Sequence, residues 1–136
     1  MAVSARSEQA IADFVNSIGM ARRGPSHDGS YSFSFESAGL LSFTATSNGA
    51  KVVMSLRSHE KVYADVNELR SFLNLAEWHP SSSIPISAGL VNESYVLAAT
   101  IPDSTFDLQL IETCLDHLIN LHAKYKNKPK TAQNFI

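Results

Sequence analysis

Cysteine is almost missing from this chain. Cys114 is the only one, which excludes an internal disulfide framework and fits a reducing compartment. Long apolar runs are missing too: none exceeds a few residues, far short of the roughly 20 that a membrane-spanning helix needs. Neither sign of charge dominates. Eleven Lys and Arg stand against thirteen Asp and Glu, a formal net charge of −2, so the basic excess of nucleic-acid binders is absent. The opening "MAVSARSEQA" lacks the apolar centre of a signal peptide. These absences point to a soluble cytoplasmic protein, with neither nucleic acid nor membrane insertion expected.

Catalytic signatures are equally scarce. No G-x-G-x-x-G or phosphate-loop sequence occurs, "ISAGL" is not the G-x-S-x-G nucleophile elbow, and no H-E-x-x-H pattern exists. Most Asp and Glu residues fall at predicted helix starts, where the helix dipole accounts for them. The expectation is a non-enzyme without cofactor or metal.

What the chain does contain is regular patterning over 136 residues, a length that suits a single domain spanning 1–136. Ile11, Phe14, Val15 and Ile18 form one face of a helix over about 8–19, with Ser7 available to cap its start and Gly19 to end it. "ARRGPSHDGS" is a polar loop. Tyr31, Phe33 and Phe35 then alternate with Ser32, Ser34 and Glu36, and Leu41, Phe43 and Ala45 alternate with Ser42, Thr44 and Thr46. With "SAG" and Asn48-Gly49 as turns, strands at about 30–36, 40–46 and 51–57 form an antiparallel meander. In the third, Val52, Met54 and Leu56 share one face, and Val53, Ser55 and Arg57 the other.

A helix beginning near Asp65, with Glu68 in capping-box position, carries Val66, Leu69, Phe72, Leu73 and Ala76 on one stripe before Pro80. Strands follow at about 84–90 and 94–101, joined around "VNES". Pro85 lacks a backbone donor, which assigns the first of these to a sheet edge. "STFDLQLIETCLDHLINLHAKYKN" reads as a long amphipathic helix opening at Ser104 and Asp107. The ordered part is expected over about 7–126, with a mobile polar tail at 127–136. The order α-β-β-β-α-β-β-α describes an α+β domain, its helices packed on a twisted antiparallel sheet.

Two features of this layout invite a chemical reading. Cys114 and His117 lie three apart on one helix, the spacing of a nucleophile and its base, but Cys114 falls within the apolar stripe, which favours a buried structural thiol. His117 and His122, five apart, face different ways. His27, His59 and His79 sit in loops or at strand ends and are expected to be solvated, as are Arg22-Arg23 and the lysines of 124–130. The apolar stripes, by contrast, exceed what a small monomer easily covers. Phe33, Phe43, Val52, Val53, Trp78 and the face of the helix near 65–76 are candidates for surface met by another chain. An edge strand beside Leu69, Phe72, Leu73 and Trp78 is a liability in a monomer, so a two-fold homodimer is expected, with Ile84 and Ile86 in the contact.

The order of elements, with "IADFVNSIGM" leading into three strands and "SYVLAATIPDSTFDLQLIETCLDHLINLHAKY" closing the chain, resembles the class I chaperones of bacterial type III secretion, the effector-specific secretion chaperones. The resemblance spans roughly 7–126 and rests on hydrophobicity and length rather than on a diagnostic motif. The chain departs from the family in being only mildly acidic and in its lysine-rich tail. The resemblance implies a homodimer that binds, without a cofactor, a segment near the N-terminus of a secreted effector and keeps it soluble and non-globular for secretion. It also implies that the helix near 65–76 and the strand at 84–90 form the dimer contact, while the first helix and the meander form grooves. The groove residues expected on this basis are Ile11, Phe14, Val15, Ile18, Phe33, Phe43 and Val53. Two other readings stand beside it: a dimeric α+β scaffold docking a folded partner outside secretion, and a small ligand-binding protein or enzyme.

Overall fold

A computed structural model describes residues 3–20, 29–36, 38–46, 48–59, 67, 70 and 84–133, with 124–133 as backbone only. The chain forms helix α1 (Ala5–Ser17), strands β1 (Tyr31–Phe35), β2 (Gly39–Ala45), β3 (Lys51–Arg57), β4 (Ile86–Val91) and β5 (Ser94–Pro102), a 3-10 turn at Asp103–Thr105, and helix α2 (Leu108–Gln133). The five strands make one antiparallel sheet in the order β1-β2-β3-β5-β4. This is the expected α+β architecture, and β4 is an edge strand, as Pro85 predicts. The helix predicted from Asp65 lies outside the described residues except Asn67 and Arg70, whose backbone is helical.

The caps differ in detail from the sequence reading. Ser4, not Ser7, caps α1: its hydroxyl accepts the Ser7 N–H at 3.1 Å. At the other end Gly19 adopts φ +73, its N–H donates to Asn16 O and the Met20 N–H to Val15 O, both at 3.2 Å. That is the Schellman arrangement, and Met20 packs back on the core. Helix α2 starts after a 3-10 turn, with Asp107 as its cap: its side chain accepts the Leu110 N–H at 2.8 Å. Its backbone stays helical to Gln133, past residue 126.

The turns select the register. Of Asn48 and Gly49 between β2 and β3, Gly49 takes a positive φ, +71, and Asn48 does not, so the link is not the two-residue turn that Asn48-Gly49 suggests. Asn48 Oδ1 instead accepts from the Ala50 N–H at 3.0 Å and from the Thr46 hydroxyl at 2.9 Å. Between β4 and β5 Asn92 (φ 49) and Glu93 (φ 66) form a tight two-residue hairpin, with Val91 paired to Ser94.

The alternation along the strands sorts the sheet into two faces. Tyr31 and Phe33, Leu41 and Phe43, Val52, Met54 and Leu56, and Tyr95, Leu97, Ala99 and Ile101 point to the helices and are buried. Helix α1 closes this layer with Ile11, Phe14 and Val15, and α2 with Ile111, Cys114, Leu118 and Leu121. Phe43 is the hub: Phe14, Phe33 and Phe106 each meet it edge-on, with ring centroids 6.2, 6.2 and 5.9 Å away. His122 Nε2 reaches the Leu56 carbonyl at 2.9 Å and so ties α2 to β3 through the backbone.

Candidate partner-binding surfaces

The face of the sheet turned away from the helices carries a row of small side chains beside a row of larger ones, in which Leu40, Arg57 and Val96 lie abreast. Register places Ser32, Ser42, Ser55, Ala98 and Ser87 side by side across all five strands. The Ser32 and Ser42 hydroxyls are 3.2 Å apart. One step along, Thr44, Val53 and Thr100 lie abreast. Val53 is half-buried there.

The sheet has two outer edges, β1 and β4, and among the described residues no further strand pairs with either. On β4, Ile86 and Ala88 lean on the core while Ser87, Leu90 and Val91 are exposed. Leu90 and Val91 are 46% and 45% exposed, which makes the β4 end of the hairpin the most open apolar surface among the described residues. The sequence offered a signal for them: a two-residue turn at Asn92-Glu93 leaves the flanking strand ends at a hairpin tip, where little covers them.

Five of the seven expected groove residues are corrected. Ile11, Phe14, Val15, Phe33 and Phe43 are at most 2% exposed, because they join one core between the helices and the sheet, where Phe14 of α1 and Phe33 of β1 both meet Phe43 of β2 edge-on. Such side chains present no edge to a partner. Ile18 remains open, 39% exposed, because it sits at the C-cap where the helix turns away. Val53 stays half-open on the outer sheet face. Of the expected dimer residues, Leu69, Phe72, Leu73 and Trp78 lie outside the described residues, whereas Ile84 and Ile86 are half-buried where the chain enters edge strand β4.

Groups with chemical potential are dispersed or buried. Cys114 is 4% exposed, and burial pushes its thiol pKa up, away from the reactive thiolate. His59 is exposed, with Nε2 2.9 Å from the Phe35 carbonyl and 3.3 Å from Ser34 Oγ. His27 and His79 lie outside the described residues. A shallow depression between α1 and α2 is lined by Asp13, Asp107, Glu112 and Asp116, with Leu108, Gln109 and Thr113. Among the described residues no group of three or more His, Cys, Asp or Glu is placed to hold a metal ion, and no helix is long and apolar enough to cross a membrane.

No protein-family model matches the chain, and no curated protein matches it in sequence. Solved structures do match, over nearly all of it. The ExsC–ExsE complex contains a chain that superposes with a TM-score of 0.72 at 16% identity, over 95% of this chain and 96% of that one. The Yersinia pestis type III secretion chaperone SycH, bound to a fragment of YscM2, gives a TM-score of 0.58 at 12% identity over 85% and 98%. The heterodimeric ExoU–SpcU complex of the Pseudomonas aeruginosa type III secretion system gives 0.59 at 17% over 85% and 93%. The architecture is therefore that of the class I type III secretion chaperones. At these identities the agreement is one of fold alone.

Proposed function

We propose that this chain is a secretion chaperone: a homodimer in the bacterial cytoplasm that holds the N-terminal segment of one type III secreted effector soluble and non-globular until export. The observation that carries the reading is the fold, shared over nearly the whole length with chaperone chains crystallised with protein partners. The surfaces described above suit such a task. An extended segment can add to a free strand edge through backbone hydrogen bonds, while nearby side chains select its sequence. Here β1 is the edge left for such a segment once β4 lies at the two-fold contact, and the accessible apolar groups beside the helices and on the sheet are Ile18, Leu40, Val53 and Val96. In this reading Leu69, Phe72, Leu73, Trp78, Ile84 and Ile86 form the two-fold contact next to β4, with Leu90 and Val91 at its margin. Holding a segment needs no cofactor and no bond-making step.

The decisive experiment has two parts. Light scattering at micromolar concentration is expected to give twice the 14.8 kDa chain mass; the monomer mass would remove the dimer. Affinity capture from the native bacterium, with the partner identified by mass spectrometry, is then followed by calorimetry against that partner's isolated N-terminal segment. The segment alone should bind as tightly as the full-length partner and be unfolded when free. Binding that survives its deletion, or that needs a folded domain, would overturn the secretion reading.

A further inference from the structure

Three segments distant in sequence meet at Asp103, the first residue of the 3-10 turn between β5 and α2. Ser4 Oγ donates to its Oδ1 at 2.8 Å, and Ser7 Oγ donates to the same oxygen at 2.5 Å. The Asp103 N–H donates to the Ala50 carbonyl at 2.9 Å, which brings in the β2–β3 hairpin. Ser7 is wholly buried. It occupies the third helical position of α1, where a capping box would turn a Glu or Gln back to the cap. Its hydroxyl turns the other way, to a carboxylate 96 residues further along the chain. The first turn of α1 is thus fastened by an acid supplied by another element.

This fastening depends on ionisation. A carboxylate accepts both hydroxyl protons strongly, whereas a neutral acid is a weaker acceptor and brings a proton of its own. The charged groups at the ends of the elements that meet here are Arg6 and Glu8 in the first turn of α1, Lys51 at the start of β3, and Asp107 at the start of α2; Asp13, Arg57, Glu112 and Asp116 sit further along the same elements. Asp107 is committed to the Leu110 N–H. The Ser7 hydrogen bond, then the Ser4 one and more weakly Arg6, hold the Asp103 carboxyl below its ordinary value against a modest desolvation. A lowered folded-state pKa means a contribution fully present above the ordinary carboxylate range and lost as pH falls through the lowered value.

We propose that Asp103 is an acid-releasable clasp that positions the first turn of α1, residues 4 to 8, and that opens without opening the sheet. The proposal stands apart from the identity of any partner. It is tested by following backbone amides of the intact chain by NMR. The Ser7 and Glu8 amides should titrate together with a midpoint below 3.8, the ordinary value for this group. That titration should vanish in Asp103→Asn, and its midpoint should rise in Ser7→Ala. At neutral pH, Asp103→Ala should speed hydrogen exchange at Ser7 and Glu8 by about tenfold or more, with Met54 and Leu97 on the central strands unchanged, as local opening requires. A Ser7 titration that persists in Asp103→Asn would overturn the proposal. So would exchange in Asp103→Ala that rises equally at Met54 and Leu97. If Asp103→Ala does not fold, the Ser7→Ala midpoint decides: no upward shift refutes the clasp.

Discussion

Replacing Phe43 with Ala separates a core from a groove by magnitude alone. Phe43 is fully buried and meets the rings of Phe14, Phe33 and Phe106 edge-on. On β2 it also lies between Tyr31 and Met54 of the neighbouring strands. Truncating a buried Phe to Ala costs about 3–5 kcal/mol. Each edge-to-face pair contributes roughly 0.5–1.5 kcal/mol beyond area burial. With three pairs lost from one hub, the upper end of the range applies, about 5 kcal/mol. Domains are stable by about 5–15 kcal/mol in all, so Phe43→Ala should be largely unfolded or close to it at 25 °C. Phe43→Leu, which keeps most of the volume and loses only the ring pairs, should cost about 2 kcal/mol and remain measurable. Urea unfolding followed by tryptophan fluorescence, together with thermal melts, reads both. A partner-groove residue would behave differently: its loss weakens binding by roughly 1–3 kcal/mol and leaves the melt in place. If Phe43→Leu melts within about 2 °C of the parent, a shift worth well under 1 kcal/mol, the aromatic hub is not holding the fold and the core assignment fails.

Gly39→Ala should destabilise by about 3 kcal/mol or more in urea unfolding, because φ is +120 there and a Cβ would stand 2.1 Å from the Arg57 carbonyl oxygen; a change below 1 kcal/mol would refute that contact. Glu93→Gly should stabilise by about 0.5–1 kcal/mol, since Glu93 holds φ 66 at a cost of about 1–2 kcal/mol that glycine relieves, less the backbone entropy glycine adds; a lower melting temperature would contradict the turn. Ser7→Ala should cost about 1 kcal/mol at pH 7, and the gap should close as pH falls below the ordinary 3.8 and through the lowered Asp103 value; a pH-independent gap would show that the hydroxyl does not act through the carboxylate. Cys114 should resist a thiol reagent in the native protein and react on unfolding; rapid native labelling would reopen the nucleophile reading.

The strands were legible because a half-buried sheet repeats every two residues, and "YSFSF" and "LLSFTA" leave no second interpretation. Which of those side chains serve the core and which serve a partner was not legible. Phe33 and Phe43 look identical as a groove floor and as the underside of a helix, since alternation reports only that one face is apolar. The decision depends on where α1 lands, and that is a tertiary fact. The same limit explains Ser7. Its position suits an N-cap by residue type, but Ser4 takes that role, and the Ser7 hydroxyl goes instead to a remote carboxylate, Asp103, which also accepts from Ser4. A sequence window of a dozen residues cannot contain that partner.

The burial of the expected anchors moves the question of recognition from side-chain pockets to edges. With Ile11, Phe14 and Val15 of α1 spent on the core, the outward apolar groups among the described residues are aliphatic: Ile18, the half-open Leu40, Val53 and Val96 of the outer sheet face, and the Leu90–Val91 tip. Such a surface is poor in the aromatic anchors that dominate tight side-chain interfaces. A free strand edge needs none of these, because its hydrogen bonds come from backbone and are indifferent to sequence. β1 and β4 supply two such edges at opposite ends of one sheet, and Pro85 removes a donor only before β4 begins. Two copies joined near β4 would consume one edge each and leave β1 of each copy open. A partner segment long enough to visit both would then gain by linkage what each weak site lacks alone. That arrangement favours an extended, unfolded partner over a folded one, since a folded domain rarely offers two free strands at the required separation.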